Sequence, residues 1–214
     1  MTETHVPAAS THEGRRLIGF FGGSFNPIHN GHIALAKGLL KAAGLDEVWF
    51  VVSPQNPFKR QSYLLDDDAR MEMVRAALAD ERQLRPCDIE LTMPRPSYTW
   101  LTLQRLAHEH PEMSFTLLIG GDNWPRFGEW YHSADILESY PIVIYPRRDN
   151  SADYAIDKGQ LPAGVTLADT PLLDISSTEI RRLVAENKPI DGMVPPVVAS
   201  IIKERGWYAT PPTV

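Results

Sequence analysis

The stretch Leu17-Ile18-Gly19-Phe20-Phe21-Gly22-Gly23-Ser24-Phe25-Asn26-Pro27-Ile28-His29-Asn30-Gly31-His32 decides the fold. It opens on an apolar run of strand type and passes through two glycines. It ends where Ile33-Ala34-Leu35-Ala36 through Leu39-Leu40 set apolar residues at helical spacing. The order is strand, glycine-rich loop, helix. Gly22 and Gly23 let backbone approach a ligand closely. The start of the following helix offers amide N–H groups and the positive end of a dipole, both suited to phosphate. His29 and His32 stand at the loop exit and the helix start, where imidazoles can donate to phosphate oxygens and stabilise charge on them.

Working outward, strand-like and helical patterns alternate. Strands are expected at 17–21, 47–52, 84–91, 114–119, 141–145 and 165–168, and helices at 31–43, 66–79, 98–110, 133–139, 177–186 and 195–205. Gly44 suits the end of the first helix, Ser97 the cap of the third, and 147–162 is read as loop. The alternation predicts an α/β fold, a Rossmann-like parallel sheet with helices on both faces, in one domain over 15–209. Residues 1–14 are expected to be a disordered leader and 210–214 a loose tail. Ligands of such sheets bind beyond the carboxyl ends of the strands, and each chemically suggestive segment here follows a strand.

The 214 residues carry a net charge of −6, with 43% hydrophobic and 22% charged residues, as expected of a folded soluble protein. The acidic balance speaks against nucleic acid as partner, but not against a nucleotide, which needs only a local cluster of donors. No apolar run approaches the roughly 20 residues that span a membrane. The polar N-terminus has no secretory pattern, and the single Cys87 cannot form an internal disulfide and is read as a structural thiol. These features favour the cytoplasm. A homo-oligomer is admitted by the sequence.

His29-Asn30-Gly31-His32 matches the HxGH signature of the nucleotidyltransferase superfamily, and the longer string resembles the opening of nicotinate (nicotinamide) mononucleotide adenylyltransferases. A second string, Asp174-Ile175-Ser176-Ser177-Thr178-Glu179-Ile180-Arg181-Arg182, resembles the ISSTxIR motif of the same enzymes, where it grips the β- and γ-phosphates of ATP. Ser176 with Glu179 also fits a capping box. The resemblance runs from about Leu17 to Tyr208. One departure is Asp191-Gly192-Met193, where relatives often carry an aromatic after a basic residue.

The resemblance implies roles for the segments between. In Ser53-Pro54-Gln55-Asn56-Pro57-Phe58-Lys59-Arg60 it places Lys59 near the substrate phosphates, although Phe58 stands where relatives often have His. At Pro96-Ser97-Tyr98-Thr99-Trp100 it places the pyridine substituent against the start of a helix, with Tyr98 and Thr99 in contact. In Gly120-Gly121-Asp122-Asn123-Trp124, Asp122 can accept from ribose hydroxyls. In Glu129-Trp130-Tyr131, Trp130 is expected to stack on the pyridine ring beside Tyr131, while Trp124 is assigned to the core.

The catalytic set implied is His29, His32, Lys59 and Arg181. ATP falls to Gly22, Gly23, Ser24, Phe25, both histidines, Gly120, Asp122, Ser177, Thr178 and Arg181. The mononucleotide falls to Ser24, Lys59, Tyr98, Thr99, Trp130 and Tyr131. Mg²⁺ is expected to arrive with ATP, with no metal site in the protein. The activity implied is transfer of AMP from ATP to nicotinic acid mononucleotide. The alternatives are a sibling adenylyltransferase using nicotinamide mononucleotide or pantetheine phosphate, a cytidylyltransferase, and a non-catalytic nucleotide sensor. The chain has no G-x-G-x-x-G after a strand and no GxxxxGK[ST], which argues against dehydrogenase and kinase readings.

Overall fold

The structure, a computed structural model, describes residues 14–54, 64–146, 156, 158–170 and 174–209. The expected leader, Lys59 and the tail at 210–214 lie outside the described residues. Six strands form one parallel sheet: β1 (Arg16–Gly23), β2 (Glu47–Val52), β3 (Leu84–Cys87), β4 (Met113–Gly120), β5 (Ile142–Tyr145) and β6 (Val165–Leu167). Their order across the sheet is β3-β2-β1-β4-β5-β6. The helices are α1 (Asn30–Ala42), α2 (Asp67–Leu78), α3 (Thr99–Glu109), α4 (Ser133–Ser139), α5 (Ser177–Ala185) and α6 (Pro196–Arg205).

Strand alternation divides the core between the two faces of the sheet. Phe21 of β1 and Leu118 of β4 pack with Leu39 of α1, Val74 of α2, Ile180 of α5 and Ile202 of α6. Ile18 and Phe20 of β1, with Leu117 and Ile119 of β4, pack with Leu103 and Leu106 of α3 and Ile136 of α4. The expected Rossmann-like α/β fold with helices on both faces is therefore the observed one. Among the described residues no helix is long and apolar enough to cross a membrane.

Two expectations are corrected. The strand expected over 84–91 stops at Cys87, and Ile89–Thr92 form a 3-10 turn. Pro86 confines β3 to the sheet edge, and the chain leaves the sheet to bury Glu90. Ser97 does not cap α3. Tyr98 occupies the cap position with no side-chain bond, and the Ser97 hydroxyl donates to Glu90 Oε2 at 2.8 Å. Burial also pushes the Cys87 thiol up to about 11, which suits an unreactive structural thiol.

The strand order reverses direction between β1 and β4, which pair in register from Arg16↔Met113 to Phe21↔Leu118. The connections leaving β1 and β4 diverge there and open a crevice at the carboxyl edge. The glycine-rich loop follows β1, and Gly121-Asp122 follows β4. The topology thus brings two of the sequence motifs to one place.

Candidate active site

His29 is the N-cap of α1, and His32 is its third residue. The His32 N–H donates to His29 Nδ1, and the His29 N–H donates to His32 Nδ1, each at 3.3 Å. The two rings stack with centroids 3.6 Å apart. Because both Nδ1 atoms accept, the ring proton of each imidazole belongs on Nε2. The capping box therefore sets two tautomers at once. The signature glycine makes room for it: a Cβ on Gly31 would lie 2.9 Å from His29 Nδ1. The amide contribution of α1 is narrower than the sequence suggests. The Asn30 N–H donates to Met193 O at 2.8 Å, and that of His32 is held by His29. Two of the first amides of α1 are therefore already engaged within the protein.

Phe25 requires a correction. Its side chain is 2% exposed and packs edge-on against Phe21 and His32 and tilted against Phe50, so it belongs to the core and leaves only backbone to a ligand. Its φ of 44° turns the loop so that the ring goes inward.

The second motif meets the first across the crevice. Ser176 caps α5, accepting from the Glu179 N–H at 3.2 Å. The Ser177 hydroxyl donates to Pro27 O at 2.9 Å, and Arg181 Nη1 donates to Asn26 O at 2.7 Å. Arg181 also holds Thr178 Oγ1 at 3.1 Å. Two strings some 150 residues apart thus share one short loop. Arg181 is half-buried, and desolvation lowers its pKa without threatening its charge. The departing segment Asp191-Gly192-Met193 closes the same region, since Gly192 O accepts from Asn30 Nδ2 at 2.8 Å.

After β4, a Cβ on Gly120 would strike the Asp122 carboxylate, so the glycine lets that side chain fold back beside the strand end. Tyr98 and Tyr131 pack with centroids 4.9 Å apart, which brings the start of α3 against the segment after β4. Tyr131 is 48% exposed, whereas Trp130 is half-buried and leans on Phe127 at 5.4 Å. Trp124 also stacks on Phe127, with centroids 5.2 Å apart, and is half-buried against the core, as expected for a packing residue. The Tyr98 side chain makes no capping bond to α3, and because this helix follows β3 its first turn and Thr99 lie at the carboxyl edge of the sheet. Among the described residues no three His, Cys, Asp or Glu side chains gather as a metal-holding group.

The family model described as cytidylyltransferase-like matches residues 20–183. A curated protein of Bacteroides fragilis, named "Probable nicotinate-nucleotide adenylyltransferase", is 47% identical over 84% of this chain and 88% of its own length. One of Cytophaga hutchinsonii with the same name is 43% identical over 90% and 98%. The chain belongs to the nicotinate-nucleotide adenylyltransferase family. The fold agrees: Plasmodium falciparum nicotinic acid mononucleotide adenylyltransferase, solved in complex with NaAD, superposes with a TM-score of 0.73 at 19% identity, covering 92% of this chain and 99% of that one. The protein is accordingly a nucleotidyltransferase, an enzyme of NAD biosynthesis.

Within this family member, three supporting residues escape a motif reading. Tyr208, near the C-terminal end, donates its hydroxyl to Asn26 Oδ1 at 2.7 Å. Glu90 is 3% exposed and accepts from the hydroxyls of Ser53, Ser97 and Thr102. Arg70 is fully buried in α2. For Arg70 a signal existed. It shares a helix face with Val74 and Leu78, so a charge interrupts an otherwise apolar stripe.

Proposed function

We infer that the enzyme transfers AMP from ATP to nicotinic acid mononucleotide, giving deamido-NAD and pyrophosphate. The observation that carries this reading is the junction of the two motifs, where Ser177 and Arg181 of α5 bond the Asn26-Pro27 carbonyls beside the His29–His32 pair. It supports one continuous phosphate-binding surface along the crevice. A phosphate oxygen of the mononucleotide attacks the α-phosphorus of ATP in line. The new P–O bond forms as the bond to the β-phosphate oxygen breaks, and pyrophosphate leaves. No protein nucleophile is required, so the protein aligns the reactants and stabilises charge.

In this reading the Nε2–H groups of His29 and His32 donate to oxygens around the α-phosphorus. Gly22, Gly23 and Ser24 supply backbone close to the phosphates. Arg181, with Thr178 and the first turn of α5, holds the β- and γ-phosphates, and Lys59 offsets charge growing on the leaving group. Asp122 accepts from a ribose. The mononucleotide lies towards Tyr98, Thr99, Trp130 and Tyr131, with its carboxylate at the start of α3. Mg²⁺ would be held by phosphate and water oxygens. The imidazoles and guanidinium gathered here suit phosphate oxygens rather than a hard cation. A cytoplasmic location belongs to the same proposal, since ATP is at hand there.

Pyrophosphate release from ATP, measured side by side with the acid and amide mononucleotides and with phosphopantetheine, tests the reading. The acid is expected to give the highest kcat/KM. Equal or faster use of the amide overturns the substrate assignment, and no turnover with any acceptor overturns the activity.

A further inference from the structure

Arg70 is the fourth residue of α2, lies on the helix's buried face and is 0% exposed. Its guanidinium has five N–H donors, and the structure gives each an acceptor. Nε donates to Leu65 O at 3.0 Å. Nη1 donates to Ser24 O at 2.7 Å and to Ser53 O at 2.8 Å. Nη2 donates to Pro54 O at 3.4 Å and to an Asp67 carboxylate oxygen. The acceptors come from separate segments. Ser24 is in the glycine-rich loop after β1, Ser53 and Pro54 open the loop after β2, and Leu65 leads into α2. The other Asp67 oxygen pairs with Arg95, in the segment that leads into α3.

A buried ion is an expensive way to hold a fold, because desolvation opposes it, as the lowered Arg70 pKa reflects. Apolar packing at that position of α2 would serve stability as well. What apolar packing cannot do is draw carbonyls of the β1–α1 loop and of both ends of the β2–α2 connection to one point. That has a consequence for the backbone. The Ser24–Phe25 peptide is planar and trans, so fixing Ser24 O on the guanidinium turns the Phe25 N–H to the opposite side of the loop.

The geometry points to Arg70 as a positioning residue for the adenylyl transfer. It is a buried guanidinium that locks the loops after β1 and β2 to each other and, through Asp67 and Arg95, to the segment entering α3. ATP and mononucleotide then meet on loops of fixed separation. This rests on the functional reading above and goes beyond it, since Arg70 touches neither substrate. Lysine has three donors on a point charge and cannot reproduce a five-bond fork.

The test uses Arg70→Lys, Arg70→Met and, on the outer limb, Arg95→Ala. Thermal unfolding is followed first, then pyrophosphate release over a matrix of both substrates, then calorimetric titration with ATP alone. Arg70→Met is expected to keep a cooperative transition yet lose at least about thirtyfold in kcat. Arg70→Lys should raise both KM values and weaken ATP at least about fivefold. Arg95→Ala should raise KM for the mononucleotide more than for ATP. Folded Arg70 variants with kcat, both KM values and ATP affinity within about twofold of wild type overturn the proposal. So does an activity loss that merely tracks the unfolded fraction. If the Arg70 variants fail to fold, Arg95→Ala decides: an unchanged KM pair overturns the proposal. A wild type that binds ATP but turns over no mononucleotide refutes the functional reading instead, and the ATP titration still decides for Arg70.

Discussion

At the residue scale, the His29–His32 pair shows how a four-residue signature carries more than its chemistry. Each ring accepts the other's backbone N–H, and the glycine between them is the space the first ring occupies. His32 should therefore matter for charge stabilisation and for the capping of α1. His32→Ala is expected to cut turnover at least about a hundredfold, since losing one preorganised donor at a developing charge costs about 2.7–4 kcal/mol. The lost cap should cost about 1 kcal/mol of stability as a separate effect. A folded variant with near-normal kcat would refute the role. Arg181 makes a different prediction. It stands at the α5 end of the crevice, bonded to Asn26 O, and the proposed reading assigns it to the distal phosphates of ATP. Arg181→Ala should weaken ATP more than AMP in calorimetric titrations, and equal losses would show that α5 does not hold the β/γ end.

At the element scale, the proposed reading makes the start of α3 the place where acid and amide substrates would be told apart. Its N-cap is Tyr98, whose side chain makes no capping bond. A carboxylate there gains typically 0.3–1 kcal/mol from the dipole when exposed, and more when water is excluded. Thr99→Ala should erode the preference for the acid, whereas Trp130→Ala should raise KM for both mononucleotides without changing their ratio; the kcat/KM ratio of the two substrates measures this. The elements themselves were legible because 2.0 and 3.6 periodicities are local, and because HxGH and SSTxIR stand beside a strand and a helix respectively. Three things were not legible. Ser97 has every local mark of a cap, but a tertiary partner, Glu90, competes for its hydroxyl and wins. Phe25 sits in a glycine-rich loop, but its φ sends the ring into an aromatic nest. Tyr208 reaches Asn26 across 182 positions of sequence, a contact with no local signature.

At the scale of the whole molecule, two buried carboxylates hold opposite ends of the sheet and should leave opposite marks on stability against pH. Glu47, at the amino end of β2, is pushed up by burial. Trp49 Nε1 at 2.9 Å, Arg16 at 2.6 Å and Arg85 at 2.7 Å more than offset this, so its pKa lies below the ordinary 4.5. Glu90, beneath the start of α3, is pushed above 4.5 by burial, and the hydroxyls of Ser53, Ser97 and Thr102 only partly counter it. A depressed folded pKa contributes stability above the unfolded value and loses it as pH falls through the folded one. A raised folded pKa does the reverse: the folded state holds the proton more tightly, so stability declines as pH rises from 4.5 towards the folded value. Glu47→Gln should thus lower stability near neutrality by about 1–2 kcal/mol, discounted because both arginines are half-exposed. Its deficit should vanish on acidification below 4.5. Glu90→Gln, which can still bond its hydroxyl partners, should match wild type in acid and gain on it as pH rises above 4.5. Thermal unfolding of the three proteins from about pH 3.5 to about pH 7.5 reads both effects, and three parallel curves would show that neither carboxylate is linked to folding in the way its surroundings demand.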